Sequence, residues 1–245
     1  MAKEGYLNLH LAQHRRSRNP GDSDEMIRSR QRFLNAGYYE DLALAIVSGI
    51  EQSAANNRLL DIGCGEGYYL AQIRKAYPDM QLLGIDIAKT AVRLAAKRKI
   101  NAQLAVDSGF KIPLFDSSVD TAISVFSPIC ATETSRVLRP GGQLIMVGPG
   151  EHHLSGLTRY IYDQPSAHGG NYQSLDSSPE FELLKQSEVV KDISVEGSEI
   201  ADLLHMTPYY WHAKPEQQER LAELPRLETK IEFTIRWYKN LASDH

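Results

Sequence analysis

The segment Leu59-Leu60-Asp61-Ile62-Gly63-Cys64-Gly65-Glu66-Gly67 limits the possible folds of this chain more than any other stretch. A short apolar run enters three glycines at alternate positions, which reads as a buried strand breaking into a tight turn where a helix starts. Without side chains, those glycines let backbone approach a ligand closely. From residue 58 onward, apolar runs alternate with helical patterns. Strands are expected at 58–62, 81–86, 102–106, 121–125 and 143–147, with helices at 67–76, 88–98 and 129–138. That alternation calls for a parallel sheet with helices on both faces.

The flanks read differently. Residues 1–21 lack periodicity and end in Asn-Pro-Gly, as an arm or loop would. Helices are expected at 24–35, capped by Asp22 or Ser23, and at 38–52, where Leu42, Ala45, Ile46 and Ile50 recur at helical spacing. Beyond Pro149, residues 151–162 look helical, and 163–179 form a polar, mobile loop on the substrate side. A strand at 189–196, short helices at 198–205 and 215–223, and a strand at 230–238 complete the reading.

With 245 residues, 42% of them hydrophobic, the chain can bury a large core. No run approaches the roughly 20 apolar residues of a membrane span, and the first residues carry no signal-peptide stretch, so a cytoplasmic location and no membrane partner are expected. Cys64 and Cys130 are the only cysteines, too few for a four-cysteine zinc site or a disulfide framework, so no metal is expected. The net charge of −4 disfavours attraction of nucleic acid to the whole surface. The first 35 residues are the exception, with seven Lys and Arg against four acids, including Arg15, Arg16 and Arg18. Lys97, Arg98 and Lys99 form a second basic cluster.

Further motifs follow the glycine turn in order. Asp86 closes the second strand about 20 residues beyond the last glycine, where a carboxylate can accept both ribose hydroxyls of a nucleoside. Asp107 closes the third strand, then come Ile112-Pro113-Leu114-Phe115-Asp116 to Val119-Asp120, and later Arg136-Val137-Leu138-Arg139-Pro140-Gly141-Gly142. Together these resemble class I methyltransferases, whose first motif is D-x-G-x-G-x-G. Nicotinamide-binding folds prefer G-x-G-x-x-G with a pyrophosphate on the helix N-terminus, and Glu66 placed there would repel such a group. The resemblance implies S-adenosylmethionine as cofactor, bound by Asp61, Gly63, Gly65, Gly67, Asp86, Ile87, Asp107 and Ser108. It also implies an α/β, Rossmann-like fold: a seven-stranded, mostly parallel sheet with helices on both faces and an antiparallel last strand. Cys64, inside the turn, reads as a packing residue rather than a nucleophile.

The terminal segments resemble a narrower family, the 23S ribosomal RNA guanine-N1 methyltransferases that act on a hairpin loop. The likeness is carried by residues 1–9, His14-Arg15-Arg16-Ser17-Arg18, Pro20-Gly21-Asp22-Ser23, Arg32-Phe33-Leu34, Gly37-Tyr38-Tyr39, Gly148-Pro149-Gly150, His153-Leu154, Ile161-Tyr162, Leu203 to Tyr209, Trp211 and Lys214-Pro215-Glu216. It implies transfer of the methyl group to N1 of a loop guanine, a homodimer, and an organisation with a basic, RNA-side segment at 1–52. The methyltransferase domain would then occupy 53–245, with a substrate-side insertion at about 151–185. Members of the family usually begin with a zinc-binding cysteine module, whereas this chain starts at the segment that would follow it.

The reaction needs the nucleophile held in line with the methyl, so positioning should supply most of the rate. At the end of strand four, Phe126 and Ser127 stand where related enzymes hold the target base. Phe126 would stack on it and Ser127 would bond its edge, unless Phe126 belongs to the core. A base for the guanine N1 proton is open among His153, Tyr162 and His168. Tyr209, Tyr210 and Trp211 read either as a stacking platform for RNA bases or as core. Arg15, Arg16 and Arg18 are the expected phosphate contacts. The competing functions are a small-molecule methyltransferase, which would share every motif from Leu59 to Gly142, and a protein that holds the cofactor only structurally.

Overall fold

The computed structural model describes residues 2–10, 20–51, 57–163, 170 and 172–242. Its centre is the sheet that the alternation calls for. Strands β1 (Leu7–Asn8), β2 (Arg58–Ile62), β3 (Gln81–Asp86), β4 (Ala102–Val106), β5 (Val119–Val125), β6 (Leu138–Pro149), β7 (Phe181–Glu196) and β8 (Arg226–Asn240) lie in the order β1-β4-β3-β2-β5-β6-β8-β7. Every pairing from β1 to β6 is parallel, and β8 is antiparallel to both β6 and β7. The Rossmann-like class and the antiparallel last strand are as the sequence implies.

The eighth strand is the addition. Leu7 and Asn8 pair with Ala105 and Val106, so part of the segment read as an unstructured arm is a sheet edge. A strand of two residues shows no periodicity, and what fixes it is the open backbone edge of β4.

The remaining elements are α1 (Asp24–Asn35), α2 (Glu40–Ser48), α3 (Tyr68–Ala76), α4 (Lys89–Lys97), α5 (Ala131–Val137), α6 (Ser155–Thr158), α7 (Gln173–Asp176), α8 (Ser198–His205) and α9 (Pro215–Ala222). Alternation along β2 sorts the core onto two faces: Leu59 joins Phe33, Leu42, Ile46, Ile145 and Phe233, while Leu60 and Ile62 join Leu144, Met146 and Tyr238. The two N-terminal helices thus share one core with the sheet. α1 also packs on α8, where Arg32 donates from Nε at 2.9 Å and from Nη2 at 2.5 Å to the Asp202 carboxylate.

Two differences from expectation lie beyond β6. The helix expected at 151–162 shrinks to the single turn of α6, because β8 captures the backbone first: Gly150 N–H donates to Glu232 O at 2.8 Å and Leu154 N–H to Lys230 O at 2.6 Å. Within the stretch read as a polar loop, residues 173–176 form α7. The last two strands are far longer than expected. β7 is an edge strand with exposed Leu183, Leu184 and Val190 and a register shift between Leu183 and Lys185, so its first half carries no clean two-residue period. Hydrogen bonds to β8 hold it instead. Since β6 pairs with β8 only as far as Pro149 and Phe233, residues 190–196 and 226–232 continue past the sheet as a two-stranded ribbon. Among the described residues no helix is long and apolar enough to cross a membrane.

Candidate cofactor and substrate site

The glycine turn leaves the end of β2 in a conformation that few residues besides glycine adopt. Gly63 has φ 78°, and a Cβ there would lie 2.1 Å from Ser127 Oγ, so the turn can sit against the end of β5 only with glycine. Gly65 has φ 54°, and a Cβ there would meet nothing within 4 Å. Its bare face therefore opens onto free space, while its N–H donates to Asp86 Oδ2 at 2.9 Å. The other Asp86 oxygen accepts from Ala88 N–H at 2.8 Å. Burial pushes the Asp86 carboxyl up, and these two backbone bonds oppose the shift.

Asp61 gives the clearest sign of what this end of β2 can hold. It is 1% exposed, and its Oδ2 has no hydrogen-bond partner. Burial, followed by the charge of Asp86, holds its carboxyl well above the usual range. A buried carboxylate oxygen without a partner is costly, and the α-ammonium of S-adenosylmethionine would supply both hydrogen bonds and countercharge. The residues present therefore fit that cofactor.

At the top of β4, Asp107 Oδ1 accepts from Ser108 N–H at 2.8 Å, and Asp107 N–H donates to Asp86 O at 3.1 Å, which sets the two strand-end acids side by side. Two chain segments missed by the sequence reading close in on this end. β1 brings His10 Nδ1 to 3.9 Å from Asp107 Oδ1, and Gly21 passes so close to Ile87 that a Cβ there would lie 2.9 Å from Cγ2. A lone histidine in an aperiodic arm gave no signal of that placement.

Glu66 corrects an expectation. It is buried one residue before the cap of α3, and Arg98 Nε donates to its Oε2 at 2.7 Å and to its backbone oxygen at 2.8 Å. Burial pushes its carboxyl up and Arg98 opposes. The charge is spent inside the protein, so it does not select against a pyrophosphate. Arg98 likewise leaves the basic cluster, while Lys97 and Lys99 remain exposed. Burial raises the Cys64 thiol, in keeping with a packing role.

On the substrate side, Phe126 is 44% exposed, not a core residue, and holds φ 56°. Its ring lies 5.7 Å from that of His153 and 5.8 Å from that of Phe233. Ser127 sits against Gly63, and its carbonyl accepts from Ser124 Oγ at 2.9 Å. The aromatic run divides: Tyr209 is buried against Tyr162, Tyr210 packs on His205, and Trp211 is 66% exposed. Arg15, Arg16, Arg18 and His168 lie outside the described residues.

Comparison with known proteins identifies the family and the fold. Residues 59–142 match the family described as a methyltransferase domain. A 23S rRNA (guanine(748)-N(1))-methyltransferase of Streptomyces fradiae is 30% identical over 96% of this chain and 86% of its own length. A protein of Micromonospora griseorubida named as a 23S rRNA (guanine-N(1)-)-methyltransferase is 32% identical over 88% and 78%. Among solved structures, the phosphoethanolamine N-methyltransferase 2 of Haemonchus contortus superposes with a TM-score of 0.55 at 15% identity, covering 90% of this chain and 58% of that one, which shows the shared fold.

Proposed function

Because the chain belongs to the 23S rRNA (guanine-N1)-methyltransferase family, we propose that it methylates N1 of a guanine in a hairpin loop of 23S rRNA. The cofactor of this methyltransferase is S-adenosylmethionine, whose sulfonium supplies an electrophilic methyl group. The observation that carries the reading is the half-exposed Phe126 ring, held at the end of β5 next to the glycine turn. An exposed aromatic there suits a flipped, unstacked base, which single-stranded RNA offers at little cost.

Each residue then has a role. With the cofactor bound, Asp61 would accept from the α-ammonium and Gly65, whose bare face is open, would let backbone lie along the methionine end, while the bare faces of Gly63 and Gly67 seat the turn against Ser127 and Ala95. Asp86, with Ile87 beside it, accepts from the ribose hydroxyls, and Asp107 with Ser108 accepts from and donates to the adenine edge. Phe126 stacks on the guanine and Ser127 bonds its edge, steadying charge that develops on O6 as the N1 proton passes to solvent water. Arg15, Arg16 and Arg18, at the RNA-side end of the chain within 1–52, meet loop phosphates.

Incubation with methyl-labelled cofactor and 23S rRNA hairpin fragments, followed by nucleoside mass spectrometry, tests the assignment. The expected product is 1-methylguanosine. Label at another position, or only on small molecules, would overturn it and favour the small-molecule methyltransferase reading.

A further inference from the structure

Phe126 adopts a backbone conformation that a bulky residue holds only when its surroundings impose it. Its N–H donates to Val147 O at 3.0 Å, which fixes the backbone, while the ring rests on a wall built from three distant parts of the chain. His153 and Phe233 form that wall with ring centroids 4.9 Å apart, and Tyr39 backs Phe233 at 4.7 Å.

His153 is held from both ends of its imidazole. The backbone N–H of Glu232 donates to Nδ1 at 3.2 Å, so Nδ1 has no proton, and the neutral ring carries it on Nε2. Nε2 lies 3.4 Å from the hydroxyl of Tyr39, which burial keeps neutral by raising its pKa. The turn that carries His153 is tied to β8 on either side, by Gly150 N–H to Glu232 O and Leu154 N–H to Lys230 O. With Nδ1 committed as acceptor and Nε2–H aimed at Tyr39, His153 is poorly placed to take a proton from a substrate and well placed to hold a neighbour still.

We propose that His153, fixed by the Glu232 backbone and the Tyr39 hydroxyl, is a positioning residue for the substrate base, holding the Phe126 ring at the angle from which it stacks on the guanine. The inference rests on the proposed guanine-N1 reaction and deepens it. In-line transfer tolerates little displacement, and an error of about 1 Å in the base costs on the order of 100-fold in rate.

The test is a double-mutant cycle in single-turnover methylation of a 23S rRNA hairpin fragment, with cofactor affinity measured by calorimetry. His153→Ala and Phe126→Ala should each lower the rate about 10- to 100-fold, and the double variant should be no slower than the slower single one. Affinity for S-adenosylmethionine should stay within about twofold of the parent in His153→Ala. Tyr39→Phe keeps the ring contacts and loses only the hydroxyl, so it serves if His153→Ala fails to fold. It should slow transfer several-fold, again without adding to Phe126→Ala. Losses that add, a cofactor affinity that falls with the rate, or a Tyr39→Phe protein indistinguishable from the parent would overturn the inference alone. A parent protein that makes no 1-methylguanosine would overturn the proposed reaction, and the inference with it.

Discussion

Removing Arg98 should unmask the buried Glu66 charge. The Glu66 side chain is 1% exposed and that of Arg98 19%, and Oε1 of Glu66 already lacks a hydrogen-bond partner. Arg98→Ala would leave a carboxylate in the interior with no ion-pair partner and only the more distant charge of Arg30 to oppose it, a change that costs about 3–5 kcal/mol. For a chain of this size that corresponds to a fall in Tm of roughly 6–20 °C. The loss should depend on pH. Burial already raises the Glu66 pKa in the fold, Arg98 opposes that, and removing Arg98 raises it further. A group with a raised folded pKa costs nothing below its unfolded value and becomes a burden as pH rises through the folded one. The deficit of Arg98→Ala should therefore be largest near pH 8 and shrink as pH falls toward the usual glutamate range. Thermal unfolding followed by circular dichroism across that range measures it, and Glu66→Gln/Arg98→Met, which removes both charges, should recover most of the stability. A double variant as unstable as Arg98→Ala, or a deficit that grows toward acid, would refute the reasoning.

Two further outcomes are expected. Asp86→Ala should weaken S-adenosylmethionine binding by about 1.5–3 kcal/mol for each charged hydrogen bond lost, read by calorimetry, and it should also loosen the glycine turn by freeing the Gly65 and Ala88 N–H groups. Replacing Arg15, Arg16 and Arg18 together by alanine should reduce the slope of log K for RNA against log salt by roughly 2–3 units while leaving cofactor affinity unchanged, as salt-dependent RNA titrations would record.

The half of the site proposed to bind the cofactor was legible because its signals are local. The glycine turn, Asp61 before it, and Asp86 and Asp107 at strand ends each need only a strand and the few residues after it, and period and spacing fix those. That β2 to β6 run parallel was legible from the alternation of strand and helix patterns, but their order in the sheet was not. What tertiary structure decided was every pairing across the chain. Glu66 reads as a free acid until Arg98, 32 residues away, turns onto it. Phe126 reads equally as core or as site until His153 and Phe233, backed by Tyr39, meet its ring and still leave it 44% exposed, with Tyr39 and His153 separated by 114 residues. Leu7 and Asn8 form a strand only because β4 offers an unpaired edge, and the same pairing carries His10 to Asp107. The first half of β7 holds its strand through β8 and not through a buried face. Side-chain periodicity records which way a residue faces its own element. It does not record which partner waits there, because long-range contacts are set by how several elements close together, and no short window of sequence contains them.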